Sequence, residues 1–270
     1  MKKLILLTFI LFLGGCGRNS TEPYSPSKGK KKVLSSTAII GSLVGALCGK
    51  EVDHSSLIKE NIDPHNYELV KGDDEKILSA NIIFYNGLGL EHGASIQKHF
   101  ALHPCAIPLG ESLLKKNQDR MIYVNGQIDP HIWMDISLFS ELIEPIVDKL
   151  KEIEPKYSKL FDNRASEIKQ KMLAKDRELQ LIAKTLPNEQ RFLVTSHDAF
   201  HYFVRKYLAY PGELEWTERL IAPEGISPDG QLGVEDIRRV VNFLSKHDVR
   251  VVFPECNLSQ DPLKKVVDIC

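Results

Sequence analysis

No sign of charge dominates this chain: 35 lysines and arginines stand against 36 aspartates and glutamates, a net charge of −1. That balance removes the electrostatic case for binding nucleic acid. Thiolate metal sites have little to work with, since none of the five cysteines forms a C-x-x-C pair. Long apolar runs are scarce as well. Residues 4–13, broken by Thr8, fall short of a comfortable bilayer span, and residues 38–48 are interrupted by Gly41 and Gly45. A phosphate-binding loop is also lacking. Gly49-Lys50 has its preceding glycine one residue too close, and Glu51 stands where a hydroxyl must coordinate magnesium.

What is there begins with an export signal. Met1-Lys2-Lys3, the apolar stretch 4–13 and Leu13-Gly14-Gly15-Cys16 look like a bacterial lipobox, with cleavage before Cys16 and a diacylglycerol on its sulfur. An ordinary secretory signal or an uncleaved anchor fits the cysteine after two glycines less well. Residues 16–32, rich in Ser, Pro, Lys and Gly, read as a flexible tether. The protein is therefore expected to be exported and lipid-anchored through Cys16, facing the periplasm or the cell exterior. Cys48, Cys105, Cys256 and Cys270 allow two disulfides in three connectivities, and reduced or intermolecular states stay open.

Beyond the tether, strands are predicted at 33–36, 57–58, 82–85, 106–107 and 121–124, with helices at 38–47, 73–80 and 91–102. Their alternation indicates an α/β unit with a mainly parallel sheet. Leu138, Leu142, Ile146 and Leu150 then recur at helical spacing. After Pro155 no glycine or proline interrupts the charged stretch up to residue 186. A single helix there would be about 48 Å long, more than a small lobe needs, so it reads as a strut between two lobes. The alternative is two shorter helices with a kink near Asn163. The α/β texture resumes past Pro187, with strands at 192–195, 213–217 and a buried one at 249–253, and helices at 234–247 and 261–269.

Three of the nine histidines share a setting. Asp63-Pro64-His65 and Asp129-Pro130-His131 repeat one tripeptide, in which proline stiffens a turn that presents an imidazole. His197 leaves the end of the strand at 192–195. Ligands gather beyond the carboxyl ends of strands in α/β sheets, and three neutral imidazoles with an oxygen donor suit a divalent first-row metal. His201 lies one helical turn beyond His197, but Asp198 replaces the glutamate base of a zinc-hydrolase helix. It is read as helix surface or as a residue behind the ligands. His54, His92, His99, His103 and His247 receive no role.

Several motifs, taken in order, point to one family. They are Asp63-Pro64-His65-Asn66-Tyr67-Glu68, Phe84-Tyr85-Asn86-Gly87-Leu88-Gly89-Leu90-Glu91, Asp129-Pro130-His131-Ile132-Trp133-Met134-Asp135, Thr195-Ser196-His197-Asp198-Ala199-Phe200 and Gly225-Ile226-Ser227-Pro228. With them the sequence resembles the solute-binding lipoproteins of bacterial ABC importers for zinc, manganese or iron, from about Val33 to the C-terminus. The resemblance implies two α/β lobes with mainly parallel sheets, joined by one long rigid helix, and a single ion in the cleft between them. With the residue patterns it divides the chain into a signal at 1–15, a tether at 16–32, an N-terminal lobe at 33–153, a linking helix at 154–187 and a C-terminal lobe at 188–270. It carries ligand roles onto His65, His131 and His197, and implies a monomeric non-enzyme whose partner is a membrane permease.

Two departures from the family follow. A fourth ligand, commonly aspartate, comes from a segment beyond Phe253-Pro254-Glu255, and the chain ends before it. Either the C-terminal lobe is shortened, as expected here, or the fourth position falls to water, a neighbouring residue or a partner; Glu255 and Asp261 are the nearest carboxylates by sequence, and neither is assigned the role. The His- and acid-rich loop of many zinc-specific members is missing between His65 and His131. An extracytoplasmic metal-dependent hydrolase, using an open fourth position, is one rival function. A surface adhesin with a structural metal is another. Ion affinity is expected to fall as pH drops through the histidine range.

Overall fold

The computed structural model describes residues 29–226, 228 and 233–270. The expected signal, Cys16 with its lipid, the tether as far as residue 28, and Ser227 lie outside them. The first lobe is built on a four-stranded parallel sheet of β1 (Lys32–Thr37), β2 (Asp53–Ile58), β3 (Ile82–Tyr85) and β4 (Ala106–Pro108) in the order β2-β1-β3-β4. Side chains alternate across it as the strand period requires. Val33, Ile82 and Phe84 join one core, and Leu34 and Ile83 another on the opposite face. The order reverses at β1, which opens a crevice beyond the carboxyl ends of β1 and β3.

Helix α1 (Ala38–Cys48) starts where Thr37 Oγ1 accepts the Ile40 amide. Its glycines let it lie close to β2: a Cβ on Gly41 would overlap Ser56 Oγ, and one on Gly45 would come within 3.1 Å of His54 Nδ1. Gly49 lies instead against the Arg164 guanidinium. Helices α2 (Asp73–Ser79), α3 (Ala94–Leu102) and α4 (Leu109–Lys116) complete the alternation. Helix α3 begins three residues later than predicted. Glu91 is buried in the preceding loop, where its carboxylate accepts the Ser36 hydroxyl and the amides of Asn86 and Gly87. A hairpin, β5 (Tyr123–Val124) and β6 (Gln127–Ile128), turns at Asn125-Gly126, both at positive φ.

Helices α5 (Ile136–Phe139) and α6 (Ile143–Ile153) lead into α7 (Ser158–Lys184). With 27 residues, α7 is about 40 Å long and runs through Asn163 without a break. In the second lobe β7 (Leu193–Val194) pairs in parallel with β8 (Leu220–Ile221). Helix α8 (His201–Phe203) continues as a π-helical turn, Val204–Leu208, against α7. Helices α9 (Val234–His247) and α10 (Asp261–Ile269) cover the pair, with Val194, Val240, Leu244, Leu263 and Val266 as the core. The molecule is thus two α/β lobes with mainly parallel sheets, joined by α7.

Two predicted strands differ. Residues 213–217 run through a turn into a short 3-10 helix, Trp216–Arg219, because the Glu213 carboxylate takes the Arg219 Nε and the Tyr210 amide and folds the segment back; the strand follows as β8. In 249–253 only Phe253 bridges, to Thr195, while Val251 is 58% and Phe253 49% exposed. Apolar composition suggested burial there, but a single bridge supplies no ladder. Cys48, Cys105, Cys256 and Cys270 are all free thiols.

Candidate metal centre

The two Asp-Pro-His turns are closed locally in the same way. Asp63 Oδ1 accepts the His65 amide at 3.0 Å, and Asp129 Oδ1 accepts the His131 amide at 2.9 Å. Each is an aspartate turn that fixes the backbone of the histidine two residues on. The second turn is held further by Asn86 at the end of β3, whose Nδ2 donates to the Pro130 carbonyl at 3.0 Å. His197 emerges past β7, where the segment 195–197 bridges to Phe253 and Glu224.

These three histidines converge between the lobes and are all buried. His131 Nε2 lies 3.2 Å from His65 Nε2 and 3.3 Å from His197 Nε2. Imidazoles at the usual zinc–nitrogen distance on a tetrahedron would stand about 3.3 Å apart. The protons of two rings follow from their other nitrogens. His131 Nδ1 is 2.7 Å from Asp129 Oδ1, and His197 Nδ1 is 2.9 Å from Glu255 Oε1. A carboxylate only accepts, so both Nδ1 atoms carry the proton and both Nε2 atoms present lone pairs. Two facing lone pairs cannot bond to each other; a cation between them relieves the conflict.

Burial, followed by the charges of His131, His197 and His92, drives His65 down to about 2. Burial also lowers His131, against the pull of Asp129. Proton competition at these two rings is thereby displaced below the ordinary histidine range. Burial would raise the Asp129 carboxyl, but the electrostatic pull of His131 and the hydrogen bonds from His131 and His201 outweigh it and hold the group at about 2. The cavity is about 180 Å³ and is lined by the three histidines together with Asp63, Trp133 and Glu255.

Among the described residues, no other group of His, Cys, Asp and Glu gathers at coordination distance. Glu255 stands behind His197, on its Nδ1 side, and not beside the three Nε2 atoms. Asp261 is exposed at the start of α10. His201 is not on a helix surface. It is buried, with Nδ1 3.2 Å from Asp129 Oδ2. His92, given no role from sequence, packs its ring 5.4 Å from that of His65; its place in the loop after Leu90-Glu91 was the only signal that could have found it.

The family model described as zinc-uptake complex component A, periplasmic, matches residues 33–268. The chain is 39% identical over 273 residues to the metal-binding protein YtgA of Chlamydia trachomatis serovar D, spanning 98% of this chain and 84% of that one. It is 28% identical to the manganese-binding lipoprotein MntA of Bacillus subtilis, over 99% and 83% of the two chains. The crystal structure of Fe(III)-bound YtgA from Chlamydia trachomatis superposes with a TM-score of 0.85 at 41% identity, covering 88% of this chain and 85% of the other.

Proposed function

This chain belongs to the family of periplasmic zinc-uptake components, and we propose on that footing that it is an extracytoplasmic solute-binding protein of an ABC-type metal importer. It captures one zinc, manganese or iron ion in the cleft and delivers it to the membrane permease. His65, His131 and His197 hold the ion through Nε2, with water or another oxygen donor completing the coordination. One observation carries this assignment: three buried Nε2 atoms at the spacing of a coordination polyhedron, two of them with Nδ1 tied to a carboxylate. The ion is cargo, and no chemical step is performed on it. Two carboxylates that line the cavity are already engaged, Glu255 behind His197 and Asp63 in closing the first Asp-Pro-His turn. A monomer anchored through Cys16 would present residues 33–153 and 188–270 as its two lobes on either side of the helix at 154–187.

The test is calorimetric titration of the metal-free, detergent-solubilised chain with zinc, manganese and ferrous iron. His65→Ala, His131→Ala and His197→Ala should each weaken binding by more than the roughly 10–100-fold that loss of an outer partner costs. Unchanged stoichiometry and affinity in all three variants would remove the assignment.

A further inference from the structure

The second lobe reaches back to the second Asp-Pro-His turn through α8 and the π-helical turn after it. The Tyr202 hydroxyl donates to the Asp129 carbonyl at 3.0 Å and accepts the Ile122 amide at 3.2 Å. Beside it, His201 Nδ1 lies 3.2 Å from Asp129 Oδ2 and 3.1 Å from the Asp198 carbonyl. Both neighbours are acceptors, so Nδ1 carries a proton and donates. Asp129 is fully buried and divides its oxygens: Oδ1 serves the amide and Nδ1 of His131, and Oδ2 serves His201.

We infer that His201 is a positioning residue for ion capture, acting through Asp129 to fix the tautomer and direction of His131. This rests on the ligand role proposed for His131. Taking the donor from Oδ2 leaves a buried carboxylate oxygen short of a partner, a costly state. Rotation of the carboxylate relieves it by drawing Oδ1 away from His131 Nδ1. His131 is then free to place its proton on Nε2, the atom that must meet the ion. Because His131 belongs to the first lobe and His201 to the second, one lobe sets the readiness of a ligand on the other. The outer partners of metal-bound histidines act in this way generally.

The experiment places a donor at one ring position or the other. His201→Asn keeps an amide N–H near the place of Nδ1, whereas His201→Gln moves it toward the place of Nε2, and His201→Phe removes it. Zinc and manganese affinities are measured on the full chain by competition with a chromophoric chelator, beside the melting temperature of the metal-free protein. Nitrogen NMR of the histidine rings reads the His131 tautomer. The expected result is an affinity loss on the order of tenfold in the Gln and Phe variants, with Nε2–H present at His131. The Asn variant should stay within about threefold of the parent and keep the Nδ1–H form, since the retained donor preserves the outer partner. Affinities in Gln and Phe equal to the parent, or Asn as weak as Phe, would overturn the inference. His131→Ala is the control: if it binds as tightly as the parent, the ligand assignment itself fails, and the role of His201 with it.

Discussion

His54 lies on β2 beneath α1, with Nε2 2.9 Å from Ser35 Oγ. Burial lowers it from 6.5 to about 4. The unfolded chain therefore takes up this proton at a higher pH than the folded one. The stability from the neutral ring is fully present above pH 6.5 and is lost as pH falls toward 4, with a slope of at most about 1.4 kcal/mol per pH unit. Denaturant unfolding of the metal-free protein at pH 7, 6, 5 and 4 should show a shallower decline in His54→Gln; parallel curves would mean that His54 gains its proton in both states together. The two aspartates of the repeated tripeptide show how far one residue type can diverge. Asp63 and Asp129 make the same turn, a local property that the sequence displays. Only Asp129 is sealed from solvent, between His131 and His201, and that depends on a helix 72 residues further along the chain. No local pattern announces it.

At the scale of elements, α1 tests whether close packing outweighs helix propensity. Alanine is the better helix former by about 1 kcal/mol, yet a Cβ at residue 41 would collide with Ser56. Gly41→Ala should destabilise the protein by roughly 1–3 kcal/mol, the range for overpacking. Adding Ser56→Ala should recover part of the loss in thermal melts. A Gly41→Ala variant that melts higher than the parent would show that the two elements can part cheaply. Gly41 and Gly45 stand one helical turn apart in the sequence, and the stretch after Pro155 reads as helix, but the structure chose one unbroken α7 over two helices kinked near Asn163. Residues 249–253 depart from their strand pattern because only Phe253 finds a bridge partner. Five residues, four of them apolar, satisfy a strand template, but a strand also needs a hydrogen-bonding neighbour along its length, and composition does not record one.

Over the whole molecule, α7 joins both lobes through buried polar groups. Tyr207, from the second lobe, donates its hydroxyl to Asp176 on α7 at 2.8 Å and accepts the Ile136 amide of the first lobe at 3.3 Å. Asp176 is buried and also takes Gln180 at 2.7 Å. Tyr207→Phe removes a hydrogen bond to a charged group and should cost about 1.5–3 kcal/mol in denaturant unfolding; a change under about 0.5 kcal/mol would place the junction's strength elsewhere. By itself the sequence determined the alternation of strands and helices, a helical stretch after Pro155, and three histidines each beyond a strand or in a proline turn. Those features are set within a few residues by backbone preference and apolar period. Only the tertiary structure decided that three Nε2 atoms meet, that Glu255 stands behind His197, and that His201 reaches Asp129 across the cleft. Such contacts join segments tens of residues apart, and their distances come from how whole elements pack, which no local spacing encodes.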